Sequence, residues 1–222
     1  MRDHLLSRGI YLIGFVMKFE LWLTFVAAYT VVSLLPGPSV FMVTAQALRR
    51  GLKPALLCVV GDLLGGIVLM TLSLVGVGAI LAASATLFQI FKWLGVLYMA
   101  YLGACMIMEA RRDPDVVAQG PSTATGAASL KIGFLTGVLN PKAIVFYMAF
   151  LSQFMDPAGN QLLQFSILMV TSSIVVGVVL SGYALAAARA RQVFQSHAAR
   201  RRFGYAGGGF MLGSSVLMAT TR

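Results

Sequence analysis

The chain carries six apolar runs, each near the length of a membrane-crossing helix, divided by short connectors that hold almost all of its charge. A helix needs about 20 mostly apolar residues to cross a hydrocarbon core. The runs lie at about residues 21–47, 54–80, 91–109, 131–154, 161–186 and 203–220. From Gly76 to Phe91 the chain is apolar almost throughout, and only Ser84, Thr86, Gln89 and Lys92 mark a surface turn. Composition decides between burial in protein and burial in lipid. With 59% hydrophobic and 11% charged residues, against about 25% charged in soluble domains, the chain has too few polar groups to coat a soluble core. It therefore predicts an all-α polytopic membrane protein of six transmembrane helices, and excludes a soluble globule, a disordered chain and a collagen-like one.

Seventeen Lys and Arg against seven Asp and Glu leave a formal charge of +10, which by itself would suit nucleic acid. The placement points elsewhere. Arg49, Arg50 and Lys53, then Arg111, Arg112 and Lys131, then Arg189, Arg191, Arg200, Arg201 and Arg202 fall in alternate connectors and share one face, while Arg2, Arg8, Lys18, Lys92 and Arg222 fall on the other. That asymmetry is the positive-inside rule at work, so the partner is a lipid bilayer and both termini are expected outside the cytoplasm. Cys58 and Cys105 lie inside apolar runs and are too few for a disulfide scaffold, and His4 and His197 are isolated. No metal site or cofactor is expected from them. Residues 1–16 read as an N-terminal extension to a single transporter domain at 17–222. The apolar stretch Ile10 to Met17, preceded by Arg2 and Arg8, faintly resembles a signal peptide but lacks a small-x-small cleavage site. The native start is then either Met1 or Met17.

The longest polar connector, about 111–130, holds Asp113, Pro114, Asp115 and Pro121 and reads as a linker between repeat 1 at about 21–110 and repeat 2 at about 131–220. Sliding the chain by 105 residues sets Leu35-Pro36-Gly37-Pro38-Ser39-Val40-Phe41 on Asn140-Pro141-Lys142-Ala143-Ile144-Val145-Phe146, with proline, valine and phenylalanine coinciding. A slide of 110 sets Tyr101-Leu102-Gly103-Ala104 on Met211-Leu212-Gly213-Ser214. Three spans per half invert the second half, so the expectation is two inverted three-helix repeats.

Pro36-Gly37-Pro38 sits within the first run and should break its helix, since two donors are missing there. Asn140-Pro141-Lys142 holds the matching place in the fourth. Broken helices at membrane depth expose backbone groups, tolerated only in protein or along a cavity. The amide-rich start of each second half-helix suits a carboxylate. Pro36, Gly37, Pro38, Ser39, Asn140, Pro141 and Lys142 are therefore the candidate substrate-binding residues. Asp62 and Lys142 are charges inside the runs, each costing at least about 2.5 kcal/mol at the bilayer centre. An Asp62 that alternates between Lys142 and a proton would couple transport to a proton gradient; a permanent Asp62–Lys142 pair would only join two spans. Gly61, Gly65, Gly133, Gly137, Gly204 and Gly208 have the small-xxx-small spacing of close helix pairs. Phe41, Phe146 and Tyr147 follow the breaks and are weaker candidates for lining a pocket.

These residues, LPGP in the first run, RRGLKPALLCVVGD ahead of the second, and GFLTGVLNPKA in the fourth, resemble the LysE/RhtB family of bacterial amino-acid exporters. The resemblance covers the chain from about Met17 onward. It implies a multi-pass transporter of the bacterial inner membrane, not an enzyme, that exports neutral amino acids or related metabolites of the homoserine, threonine or leucine type, with protons exchanged. A metal-ion exporter would want Cys or His pairs or several membrane carboxylates, and a thiol-disulfide electron carrier would need Cys58 and Cys105 to meet. An intramembrane enzyme would need a Ser/His, paired-Asp or His-Glu-x-x-His constellation, none of which occurs. The expected mechanism is alternating access, with the inverted halves rocking about a midplane site. The substrate carboxylate would sit after Pro38 and Pro141, and its ammonium at exposed carbonyls of the breaks or at Asp62. A chain of this size acts alone or as a homodimer.

Overall fold

The computed structural model describes residues 17–73, 85–111, 126–190 and 197–220. The readings that concern residues 1–16, including the start at Met1 or Met17, and most of the linker, lie outside the described residues. All regular structure among the described residues is helical. In chain order the helices are α1 (Phe19–Leu34), α2 (Pro38–Arg50), α3 (Leu52–Leu72), α4 (Ala85–Arg111), α5 (Gly126–Val138), α6 (Pro141–Phe150), α7 (Gln161–Ala190) and α8 (His197–Thr220), with a 3-10 turn at Leu151–Phe154 after α6.

Both expected breaks are present. The extended backbone of Leu35 and Gly37 parts α1 from α2, and the two axes differ by 53°. Proline opens each second half-helix, where its missing N–H is not needed and its ring fixes a helical φ. Gly51 ends α2 at φ 90°, a left-handed conformation that lets α3 begin at once on the return path. Length and apolarity qualify α3 and α7 as spans, and the bent α1–α2 pair as a third. The other three runs do not meet that test, although α8 has 24 residues. The fourth run is divided into α5 and α6 by its break, and the apolar stretch of α4 covers Trp93–Met108.

Glycines set the tightest packing. A Cβ at Gly61 would stand 2.8 Å from the Phe134 nitrogen, one at Gly65 2.8 Å from the Val138 nitrogen, one at Gly133 3.0 Å from the Asp62 nitrogen, and one at Gly137 3.1 Å from the Asp62 Cα. Backbone therefore lies against backbone where α3 crosses α5, as small-xxx-small pairs allow. The α4–α8 pair repeats the device: Gly103 faces the Gly208 carbonyl, and Gly208 faces that of Gly103. The long α7 packs on α1, α2 and α3. Large apolar side chains such as Leu97, Leu162, Ile174, Val178 and Leu217 are more than 60% exposed, a surface that suits lipid.

Candidate functional site

The site grows from the backbone groups that the prolines strand. In an unbroken helix the carbonyl of Val32 would accept from residue 36 and that of Leu34 from residue 38, but both of these are proline and have no N–H. Side chains from the second half meet those two carbonyls. Lys142 Nζ donates to Val32 O at 2.9 Å and to Leu35 O at 2.9 Å. Tyr183 Oη donates to Leu34 O at 2.9 Å. Gly37 lies beside the lysine, and a Cβ there would stand 3.4 Å from Lys142 Nζ, an ordinary van der Waals contact.

The second break is joined to the first by side chains. Asn140 caps α6 by accepting the Lys142 backbone N–H at 3.1 Å on its Oδ1. Its Nδ2 donates to Ser39 Oγ at 2.9 Å, and Ser39 Oγ donates to Asp62 Oδ1 at 2.6 Å. Asn140, Ser39 and Asp62 are all buried. One polar chain thus runs from the start of α6, through the first turn of α2, to the middle of α3.

A direct Asp62–Lys142 pair does not form. An ion pair forms elsewhere, between Lys18 and Asp156 at 3.6 Å, near the N-terminal ends of α1 and α7. Lys142 is held instead by the carbonyls left free at the end of α1, whose partial negative charge attracts a cation, and Ser39 stands as the partner of Asp62. The carboxylate seat expected after Pro141 is likewise partly taken, because the Asn140 side chain already accepts the Lys142 N–H.

These groups face a cavity of about 60 Å³, room for a few waters or a small polar headgroup. Of the candidate residues, Ser39, Asp62, Asn140 and Lys142 line it, whereas Pro36, Gly37, Pro38 and Pro141 do not and stand in the breaks themselves. Tyr29, Ser33, Ser172 and Ser173 also line it, and sequence reasoning missed them. Hydroxyls inside long apolar runs, above all the adjacent Ser172 and Ser173, were the available signal. Val32, Leu63, Ile67, Met70 and Val176 supply an apolar wall. Phe146 and Tyr147 belong to the lining, but Phe41 turns away and packs 5.2 Å from the Phe210 ring. Cys58 and Cys105 are free thiols on α3 and α4, outside the lining.

An aromatic group borders the cavity where α1 meets α6. The Tyr29 and Tyr147 hydroxyls lie 2.6 Å apart. Phe25 stacks on Tyr29 at 5.4 Å, and Phe146 sits 5.0 Å from the same ring. The arrangement can bind a small polar group between two broken helices and hold or release a proton at one carboxylate.

A family model described as LysE type translocator matches residues 30–222. An uncharacterized membrane protein of Vibrio cholerae serotype O1 is 30% identical over 213 residues, covering 93% of this chain and 100% of that one. A homoserine/homoserine lactone efflux protein of Salmonella typhimurium is 33% identical over 174 residues, 78% of this chain and 83% of that one. A leucine efflux protein of Klebsiella pneumoniae subsp. pneumoniae is 32% identical over 135 residues, 61% of this chain and 63% of that one. No solved structure matches the chain.

Proposed function

The chain belongs to the LysE type translocator family, and from that premise we propose that it exports neutral amino acids or related metabolites of the homoserine, threonine or leucine type from the bacterial cytoplasm, in exchange for protons. The observation that carries this reading is the buried chain Asn140–Ser39–Asp62, which ties both broken helices and a carboxylate to one small cavity. A zwitterion needs cationic, anionic and backbone partners within a few ångströms of each other, and Lys142, Asp62 and the freed carbonyls of α1 supply that set. The apolar wall suits an uncharged side chain better than a second cation, because burying one would add an unpaired charge. Asp62 has a hydroxyl rather than an ammonium as its direct partner, which leaves it free to serve as the carboxylate that binds a proton or a substrate in turn.

Six spans in two inverted halves remain our topological reading, with the basic connectors inside and both termini outside. Its support lies in the matched breaks and in the helix pairs. Exchange of the halves carries α3 against α5 into α7 against α1, and maps α4 against α8 onto itself; all three contacts occur.

The test is efflux from proteoliposomes loaded with a mixture of the twenty amino acids, under an imposed proton gradient. Selective, gradient-dependent loss of neutral amino acids supports the reading and names the substrate. Efflux of none of the twenty would refute amino-acid export.

A further inference from the structure

We propose that the carbonyls of Val32 and Leu35 form a seat for a primary ammonium group, that Lys142 fills it while the site is empty, and that the α-ammonium of the incoming substrate takes its place. The inference deepens the proposed function and depends on it only for the identity of the incoming ligand.

The seat is a consequence of covalent structure. Pro36 cannot donate to Val32 O, so that carbonyl needs another donor wherever water is scarce. Two carbonyls at the end of α1 both point at one nitrogen, at 2.9 Å each, and they carry the negative end of the helix dipole. This geometry recognises a compact group with several N–H donors, which describes any primary ammonium. The seat does not collapse when its occupant leaves, because Tyr183 separately holds Leu34 O and Asn140 separately caps α6.

Lys142 is suited to vacate it. The ammonium is tethered by four flexible methylenes, and the side chain borders the same cavity as Asp62 and Val32. Charge balance favours the exchange. With Lys142 seated, the cavity holds one cation and one carboxylate. When a zwitterion enters, its ammonium inherits the carbonyls and the displaced lysine pairs with its carboxylate, so the net charge of the cavity is unchanged and the carboxylate gains a cation. A lysine that stayed seated as a permanent helix cap would instead leave the substrate carboxylate without a cation.

The experiment uses the full chain in lipid nanodiscs and the Lys142→Ala variant, with propylammonium as the probe, since it is the group that the substitution removes. Propylammonium is expected to bind the variant at least tenfold more tightly than the intact protein. Trimethylpropylammonium, with the same charge and no N–H, should show no such gain. On the variant, propylammonium should compete with leucine. A folded variant that gains no amine affinity overturns the proposal, as does propylammonium that raises leucine binding instead of competing with it. Should Lys142→Ala not hold a folded state, Lys142→Met keeps the stem volume, and methylammonium serves as the competing probe. Absence of amino-acid efflux by the intact protein would defeat amino-acid export and leave the amine gain as the independent support for the seat.

Discussion

Gly65 and Gly66 are neighbours on α3 with opposite surroundings, so alanine at each isolates the worth of the α3–α5 contact. At Gly66 a new Cβ would meet nothing within 4 Å, whereas at Gly65 it would stand 2.8 Å from the Val138 nitrogen, 3.2 Å from the Gly137 carbonyl carbon, and closer still to the Phe134 carbonyl oxygen. Both substitutions gain helix propensity of about 0.5–1 kcal/mol, which cancels in the comparison. What remains is overpacking against backbone that cannot rotate aside, and α3 and α5 must part by roughly 1 Å to relieve it. A gap of about 0.5–1 Å forfeits a quarter to a half of each dispersion well it opens. Between helices in lipid, packing is the main attraction. Gly65→Ala should therefore be less stable than Gly66→Ala by about 1–3 kcal/mol, measured by denaturant titration in mixed micelles. Gly65→Ala with Gly137→Ala should be little worse than either alone, since helices already parted accommodate the second methyl. Equal stability of Gly65→Ala and Gly66→Ala, within about 0.5 kcal/mol, would refute the backbone contact and the reasoning built on it.

Asp62→Asn keeps an acceptor for Ser39 and removes the charge. Gradient-driven efflux is expected to lose its dependence on external pH while leucine counterflow persists, and an unchanged pH dependence would remove Asp62 from coupling. Ser39→Ala strands Asn140 Nδ2 and Asp62 Oδ1 together, at about 1–3 kcal/mol for each buried group left unmet, so both stability and substrate affinity should fall; a silent substitution would mean that water replaces the hydroxyl. Tyr183→Phe frees the Leu34 carbonyl that Pro38 cannot serve, and Pro38→Ala returns a donor to that carbonyl. A double-mutant cycle should then show Tyr183→Phe costing less by about 1 kcal/mol in the Pro38→Ala background, and a coupling of zero would break the link between proline and tyrosine.

Much of this was legible because it depends on backbone chemistry that a one-dimensional reading sees directly. Pro36, Pro38 and Pro141 remove donors wherever they occur, so both breaks could be placed from residue types alone. The glycine spacing at Gly61, Gly65, Gly133 and Gly137 likewise announces close approach, although only the structure pairs α3 with α5. Side-chain partnership was not legible in the same way. Lys142 and Asp62, as opposite charges in lipid, suggest each other, yet three stronger local demands intervene: carbonyls at Val32 and Leu35 that need a donor, an Asn140 that must cap α6, and a Ser39 placed between them. Tyr29 and Ser172 were hidden because a hydroxyl in an apolar run has no pattern of its own.

The same contacts limit how the protein can move. Rocking of whole inverted halves, the motion suggested by the repeat, would have to slide α3 of the first half over α5 of the second. Four glycines hold those backbones together, and Gly103 with Gly208 does the same for α4 and α8. Contacts of this kind are bistable at best and do not deform gradually. The polar joints are different, because a hydrogen bond made by a side chain can be exchanged for another of similar strength at little cost. Lys142 on two carbonyls, Tyr183 on a third, and Tyr29 on Tyr147 are joints of that type, and all of them connect α1 to α6 or α7. On the proposed alternating access, α1 and α6 would therefore bend at their breaks against a frame of α3 with α5, and the exchange of Lys142 for the substrate ammonium would be the step that loosens them.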